Sequence, residues 1–468
     1  MFLDPDRLLE ASPAEVLDAA SRGHLGLDHR FLHAFIDRPE EALPAVAAFG
    51  ERSRENDVID LASELIALFR HWKTPAGIPF LIKYIEEDPE NVPDEVVVCL
   101  VEMPAAALEP LLALYDRLEE TGSGEVAFIL ANLRIRDERL LQRLIDRLEF
   151  DLSDTFLLLG IYGDPAASEA VRNTAEALED GEDDLKKEAA NVLEALSEAS
   201  PVRHELEHEP FDIWDLYPET EDLPVDVLEE NERIALLEHP AASVRAAAAH
   251  SFFNRPLDTE QRQQLLALAQ TDASTEVRAR AWEALIDATE NSEVVEAMLQ
   301  TLRDTSLPLE ERGGLLVGLA PETDRNEVRE GIIALYEIPE GRAKALEAMW
   351  RSVYPGFRDY FAPHLDDPDL ETRRGALWGV GYYGLKSELD KVRALFEDEE
   401  LRSDALFAYA LAIPAEISPG RMKGVLARIE KDAQGLSEME EELVKAALDE
   451  RLMLAGKEPV FRSIQEED

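Results

Sequence analysis

The sequence holds one cysteine, 11 lysines and 47 basic side chains against 100 acidic ones. Each scarcity excludes something. A lone Cys99 cannot close an internal disulfide. It sits in Val96-Val97-Val98-Cys99-Leu100-Val101, which suits a small core hydrophobe, whereas a reactive thiolate needs cationic or polar neighbours. No stretch reaches the roughly 18 apolar residues that a membrane-crossing helix needs. The opening Met1-Phe2-Leu3-Asp4-Pro5-Asp6-Arg7 lacks the basic region and apolar run of a secretory leader, so the expected location is cytoplasmic. A net charge of -53 repels phosphate backbones and anionic lipid, so neither nucleic acid nor membrane is an expected partner. Period-two alternation is missing too, and no sheet is expected.

What is present is apolar enough to fold. Hydrophobic residues make up 46% of 468, which argues against wholesale disorder. Arginine outnumbers lysine 36 to 11 and glutamate outnumbers aspartate 63 to 37. Such an acidic, lysine-poor surface keeps a protein soluble in strong salt, where screening tempers self-repulsion. A GC-rich genome with ordinary acidic helices accounts for it equally well.

Self-comparison reveals a repeat. A helix-opening arginine recurs at Arg245, Arg278, Arg312, Arg342, Arg373 and Arg402, at intervals of 33, 34, 30, 31 and 29 residues. Three positions on stand Ala248, Ala281, Leu315, Ala345, Ala376 and Ala405. Six on are Ser251, Ala284, Gly318, Ala348, Gly379 and Ala408, all small, and seven on are Phe252, Leu285, Leu319, Met349, Val380 and Tyr409. At 100° per residue these offsets predict a buried stripe, with the small residue admitting a neighbouring helix. Second helices are predicted at 263–269, 294–302, 328–336 and 389–396, so the unit is helix–turn–helix with a period near 31. In the first 200 residues, second helices are predicted to open at Pro79, Pro110, Leu141 and Val171, with an earlier unit around Pro44.

The expected organisation is divergent repeats over 1–199, an acidic, Pro-containing insertion over 200–230, clear repeats over 231–455 and an acidic tail over 456–468. The fold class is all-α: a right-handed α-α superhelix of roughly a dozen helical hairpins.

His239-Pro240-Ala241-Ala242-Ser243-Val244-Arg245 and Leu365-Asp366-Asp367-Pro368-Asp369-Leu370-Glu371-Thr372-Arg373 resemble the opening of a HEAT repeat, in particular the short bacterial PBS-lyase HEAT-like repeat. The resemblance is strongest over 234–410. It implies a HEAT-like solenoid and an aspartate pairing with the arginine six residues later. Asp272 with Arg278 and Asp367 with Arg373 fit, while Ser306, Tyr336 and Phe396 occupy the equivalent places elsewhere. Because some proteins with such repeats are phycobilin lyases, the resemblance also carries an enzymatic alternative, without identifying a bilin pocket.

A second enzymatic alternative lies in His204-Glu205-Leu206-Glu207-His208, which satisfies H-E-x-x-H. On a helix, His204 and His208 would share a face and hold zinc while Glu205 acts on a bound water. Pro201 and Pro210 confine any helix there to about two turns, and no third ligand follows at the usual spacings. A solvated acidic connector is therefore the preferred reading, with no resident metal or cofactor.

The remaining candidate is a protein-binding surface. Offset five from each arginine points away from the buried stripe and is expected to be exposed. It holds His250, Glu283, Val317, Glu347, Trp378 and Phe407. Tyr382 and Tyr383 follow on one helix, and Trp350 and Phe357 lie one unit earlier. Exposed, clustered aromatics are binding anchors, so Trp350, Phe357, Trp378, Tyr382, Tyr383 and Phe407 form the candidate site. The competing reading has them filling gaps between helices. The function expected is a non-catalytic scaffold or adaptor for a protein partner, and the acidity favours a cationic one.

Overall fold

The computed structural model describes residues 8–25, 30–53, 55–118, 120–179, 182–197, 211–217, 223, 225, 228–413 and 418–461. The elements among them are all helices, and no strand occurs. The chain divides into two compact units, Met1–Tyr217 and Pro218–Asp468, and the boundary falls inside the acidic 200–230 segment.

The first unit opens with α1 (Pro13–Ser21), α2 (His33–Ile36), α3 (Pro39–Glu51) and α4 (Ala62–Trp72). It continues through α5 (Ile78–Glu87), α6 (Asp94–Val101), α7 (Pro104–Tyr115) and α8 (Gly124–Leu133). It closes with α9 (Glu138–Asp146), α10 (Leu152–Tyr162), α11 (Ser168–Ala177) and α12 (Asp183–Ser197). Helices α4, α6, α8, α10 and α12 pack in succession, each on the next but one in sequence. Helices α3, α5 and α7 make a parallel succession beside them. That next-but-one packing marks a stacked repeat, in which one hairpin cannot bury its apolar face alone. Two prolines fall differently from expectation. Pro110 lies inside α7 and Pro44 inside α3, because Pro104 and Pro39 already take the first helical turns.

The second unit begins with α13 (Glu230–Leu236), α14 (Ala242–His250), α15 (Thr259–Thr271) and α16 (Thr275–Ala284). Next come α17 (Ser292–Leu302), α18 (Leu309–Gly318), α19 (Asn326–Tyr336) and α20 (Arg342–Ser352). The last are α21 (Leu370–Tyr382), α22 (Leu389–Ala394), α23 (Arg402–Leu411), α24 (Met422–Asp432) and α25 (Glu438–Leu454). Helices α14, α16, α18, α20, α21, α23 and α25 pack side by side, and α15, α17, α19, α22 and α24 each flank the member of the row that follows. Between α20 and α21 two 3-10 turns, Pro355–Tyr360 and Ala362–His364, take the flanking helix's place.

The stripe lies where the repeat puts it. Ala248, Ala281, Leu315, Ala345, Ala376 and Ala405 are all at 0% exposure. The small residue six positions on has its reason in Gly318, where a Cβ would stand 2.2 Å from the carbonyl oxygen of Trp282. Gly314 is the same case, 2.3 Å from the Ala279 carbonyl, so α16 and α18 touch backbone to backbone.

The arginine has a different task from the one the resemblance implies. Asp272 pairs with Arg245 of the preceding unit at 2.8 Å, not with Arg278. Asp367 takes His364 at 2.9 Å, and Arg373 faces Asp398 instead. Four of the six arginines reach back to the main-chain carbonyl six residues earlier: Arg245 donates to His239 O, Arg278 to Asp272 O, Arg342 to Tyr336 O and Arg402 to Phe396 O. A carbonyl is present whatever the side chain, so tyrosine can replace aspartate there. The remaining guanidinium nitrogens then bridge to the next unit, Arg245 to Asp272 and Arg278 to Glu311. The planar guanidinium fork makes both bonds at once.

Candidate interaction surface

The row of arginine-bearing helices in the second unit carries two adjoining clusters, one charged and one aromatic. In the charged one, Glu283 of α16 is 1% exposed. It accepts from Lys344 Nζ of α20 at 2.6 Å and from Arg280 at 3.3 Å, and His250 of α14 stands 3.8 Å away. Lys344 reaches α16 by passing over α18, where Gly313 offers no side chain and lies in contact with the Lys344 stem. Lys344 also donates to Glu347 at 2.9 Å, and Arg351 Nε donates to the other oxygen of that carboxylate at 3.0 Å. Arg351 then bonds Asn254 Oδ1 at 3.1 Å and lies over the rings of Phe253 and Trp350. Burial works to raise the Glu347 pKa, but Lys344 and Arg351 outweigh it and hold the carboxyl below its ordinary value. Burial likewise works against the Lys344 ammonium, and Glu283 and Glu347 overcome it, raising its pKa. His250 is pushed down, first by desolvation among its neighbours and then by Arg280, although 45% of its side chain is exposed.

The aromatic cluster continues from Arg351. Trp350 stacks on Tyr382 with centroids 5.0 Å apart and planes 12° from parallel, and it meets Trp378 at 5.1 Å. Trp378 stacks on Phe407 at 4.5 Å. Carboxylates fix the polar edges: Trp378 Nε1 donates to Asp404 at 2.7 Å, and Tyr382 Oη donates to Glu450 at 2.7 Å. Arg374 holds Asp404 from the other side at 2.9 Å. Four of the six expected residues, Trp350, Trp378, Tyr382 and Phe407, therefore meet on α20, α21 and α23. The other two go elsewhere. Tyr383 donates to the Tyr354 carbonyl at 2.7 Å and rests on Phe361, with burial pushing its hydroxyl up to about 12. Phe357, at 1% exposure, packs edge-on to Tyr354 in the core.

Exposure departs from expectation. At offset five His250 is exposed, but Glu283, Val317 and Phe407 are buried at 1%, 0% and 6%. A helix inside the row meets a neighbour on each flank as well as an outer helix, so its buried arc is wider than one stripe. Trp378 and Tyr382 are half-buried, while Trp350 is 8% exposed.

Three other candidates resolve as follows. Cys99 lies buried in α6, where burial first and Glu102 second push its thiol up to about 12, far from a nucleophile. His204 and His208 fall outside the described residues, among which no group of three or more His, Cys, Asp or Glu is placed to hold a metal. A cleft of about 760 Å3 beside α22 and α24 is lined by Arg393, Arg402, Lys431 and Asp432. Two of its three cations already face carboxylates, Arg393 with Asp432 and Arg402 with Glu440.

The sequence also held a signal for the charged cluster that went unread. Two positions after the six arginines come Ala247, Arg280, Gly314, Lys344, Gly375 and Asp404, charge and glycine in alternation from Arg280 on. Gly314 makes room for the Ala279 main chain and Gly375 for Leu346.

No family model matches the chain, and no curated protein matches it in sequence. One solved structure, of an engineered protein, aligns over 94% of this chain and 98% of its own at 16% identity, with a TM-score of 0.23. A score that low carries no argument about the fold.

Proposed function

We propose that the chain is a non-catalytic scaffold or adaptor, a right-handed HEAT-like superhelix of about a dozen hairpins that acts in the cytoplasm by holding a cationic protein partner. The observation that supports it is the half-buried pair Trp378 and Tyr382, fixed by hydrogen bonds to Asp404 and Glu450. Aromatic rings held rigid before binding lose little conformational freedom on contact, which is what makes them anchors. The carboxylate-rich surface around them supplies long-range attraction for a basic partner and repels acidic ones.

Affinity capture from the native host, at the host's own ionic strength, tests the reading. The expected result is a basic polypeptide retained in fixed ratio to the chain and released as salt is raised, since screening weakens charge attraction between exposed groups. Retention of no polypeptide in fixed ratio, or release that ignores salt, contradicts it.

A further inference from the structure

In the first unit, the segment after α12 comes back to the start of the stack. Phe211, at 14 residues beyond Ser197 in sequence, lies over the Arg70 guanidinium of α4 at 4.4 Å. Trp214 packs on His33 of α2 with ring centroids 4.7 Å apart, and Tyr217 stacks on Trp214 only 7° from parallel. Ile213 is 1% exposed and the turn Ile213–Leu216 packs on α4. Asp212 and Asp215 face solvent, and Leu216 is 39% exposed.

Residues 211, 214 and 217 are three apart, with Trp214 inside the 3-10 turn Ile213–Leu216 and Phe211 and Tyr217 on the extended chain that flanks it. The turn bonds to itself: Asp215 N donates to Asp212 O at 3.1 Å, Tyr217 N to Trp214 O at 3.3 Å, and Trp214 N to the Asp212 carboxylate at 3.0 Å. A connector needs solubility and reach, not three aromatics in seven residues.

Beneath the segment the fit is incomplete. Arg70 is 8% exposed, and its Nε stands 3.6 Å from Glu102 Oε2, beyond hydrogen-bond range. Neither atom has another hydrogen-bond partner. Native cores satisfy such groups, because an unpaired buried donor carries its full desolvation cost. Phe211 covers Arg70 with a ring and offers its Nε no acceptor.

We propose that this face of α2 and α4 is a docking site for a short partner peptide with aromatic residues at every third position and a carboxylate reaching Arg70, and that Phe211–Tyr217 occupies it as a displaceable stand-in. The proposal rests on the reading of the chain as a protein-binding scaffold, but places a second surface on the other unit. The chain's own segment competes at the high local concentration of a tethered ligand. A partner peptide wins by supplying the acceptor that Phe211 lacks.

The test needs no natural partner. A labelled peptide of sequence Pro-Phe-Asp-Ile-Trp-Asp-Leu-Tyr-Pro, that of residues 210–218, is titrated into the full wild-type chain and into the F211A/W214A chain. Binding at least tenfold tighter to the variant is expected, falling at least fivefold when Arg70→Ala is added. Equal binding to both chains, or none to the variant, overturns the proposal. Hydrogen exchange on the wild-type chain decides the matter if the variant fails to fold. Amides of 214–217 exchanging at least a hundredfold faster than those of α4 and α6 support a displaceable segment; equal rates make it core and overturn the proposal. A capture experiment that finds no partner for the second unit's surface leaves these outcomes unchanged, so the two failures are distinguishable.

Discussion

At the scale of the residue, the repeat arginine is understood by what each nitrogen meets. Arg278 donates to the Asp272 carbonyl at 2.7 Å and pairs with Glu311 at 2.7 Å, with only 18% and 5% of the two side chains exposed. Removing it leaves a buried carboxylate without its cation, so Arg278→Ala should cost about 3 kcal/mol in denaturant unfolding of the second unit. Arg325, paired with Glu322 on the open surface, is the control, and its replacement should leave the midpoint unmoved. Glycine gives a sharper contrast of sign. Gly314→Ala drives a Cβ to 2.3 Å from the Ala279 carbonyl and should destabilise by about 3 kcal/mol. Gly424→Ala, in helix α24 with open space around it, should stabilise by about 0.5 kcal/mol. Paired urea melts of the two variants check the opposite signs.

At the scale of the element, the stripe of α14 to α23 was legible because it depends only on helical geometry and on what each helix repeats from its predecessor. Arginine partners were not legible in the same way. Arg245 with Asp272 is a bond between successive units, set by how far one hairpin is displaced from the next, whereas the pair that the resemblance implied was Asp272–Arg278. The exposure of offset five was misjudged for a related reason: Glu283 and Phe407 lie where a second row neighbour closes over the helix. The meeting of Trp378 and Phe407 was readable from their equivalent positions in adjacent units, while Trp350 and Tyr382 join them from other positions of α20 and α21. Phe211, Trp214 and Tyr217 belong to no repeat, so no comparison within the chain could have placed them.

The charged cluster joining α14, α16 and α20 gives these elements a common pH dependence. Glu347, held below its ordinary value of 4.5, contributes stability that is complete above that pH and is lost as pH falls through its folded value. His250, depressed from 6.5, likewise loses its contribution as pH falls below 6.5 and the unfolded chain takes the proton first. Lys344, raised above 10.5, contributes fully below that pH and loses its part as pH rises beyond it. Stability from the cluster should therefore be level between about pH 7 and 10 and fall on either side. Unfolding midpoints across pH 4 to 11 measure this, and His250→Gln should remove the decline that begins just below 6.5.

At the scale of the whole molecule, the proposed scaffold role draws on the charge of -53 and on the two helical units. Among the described residues no helix is long and apolar enough to cross a membrane. The stripe three positions after each arginine is alanine and leucine throughout, fully buried. On the proposed reading, affinity should concentrate at the half-buried Trp378 and Tyr382. The most direct measurement is the dissociation constant of the captured partner for the wild-type chain and for Trp378→Ala, at the host's ionic strength, with helix content of both followed by circular dichroism. The account predicts at least a tenfold loss of affinity with helix content unchanged; equal affinity of the two folded proteins would contradict it.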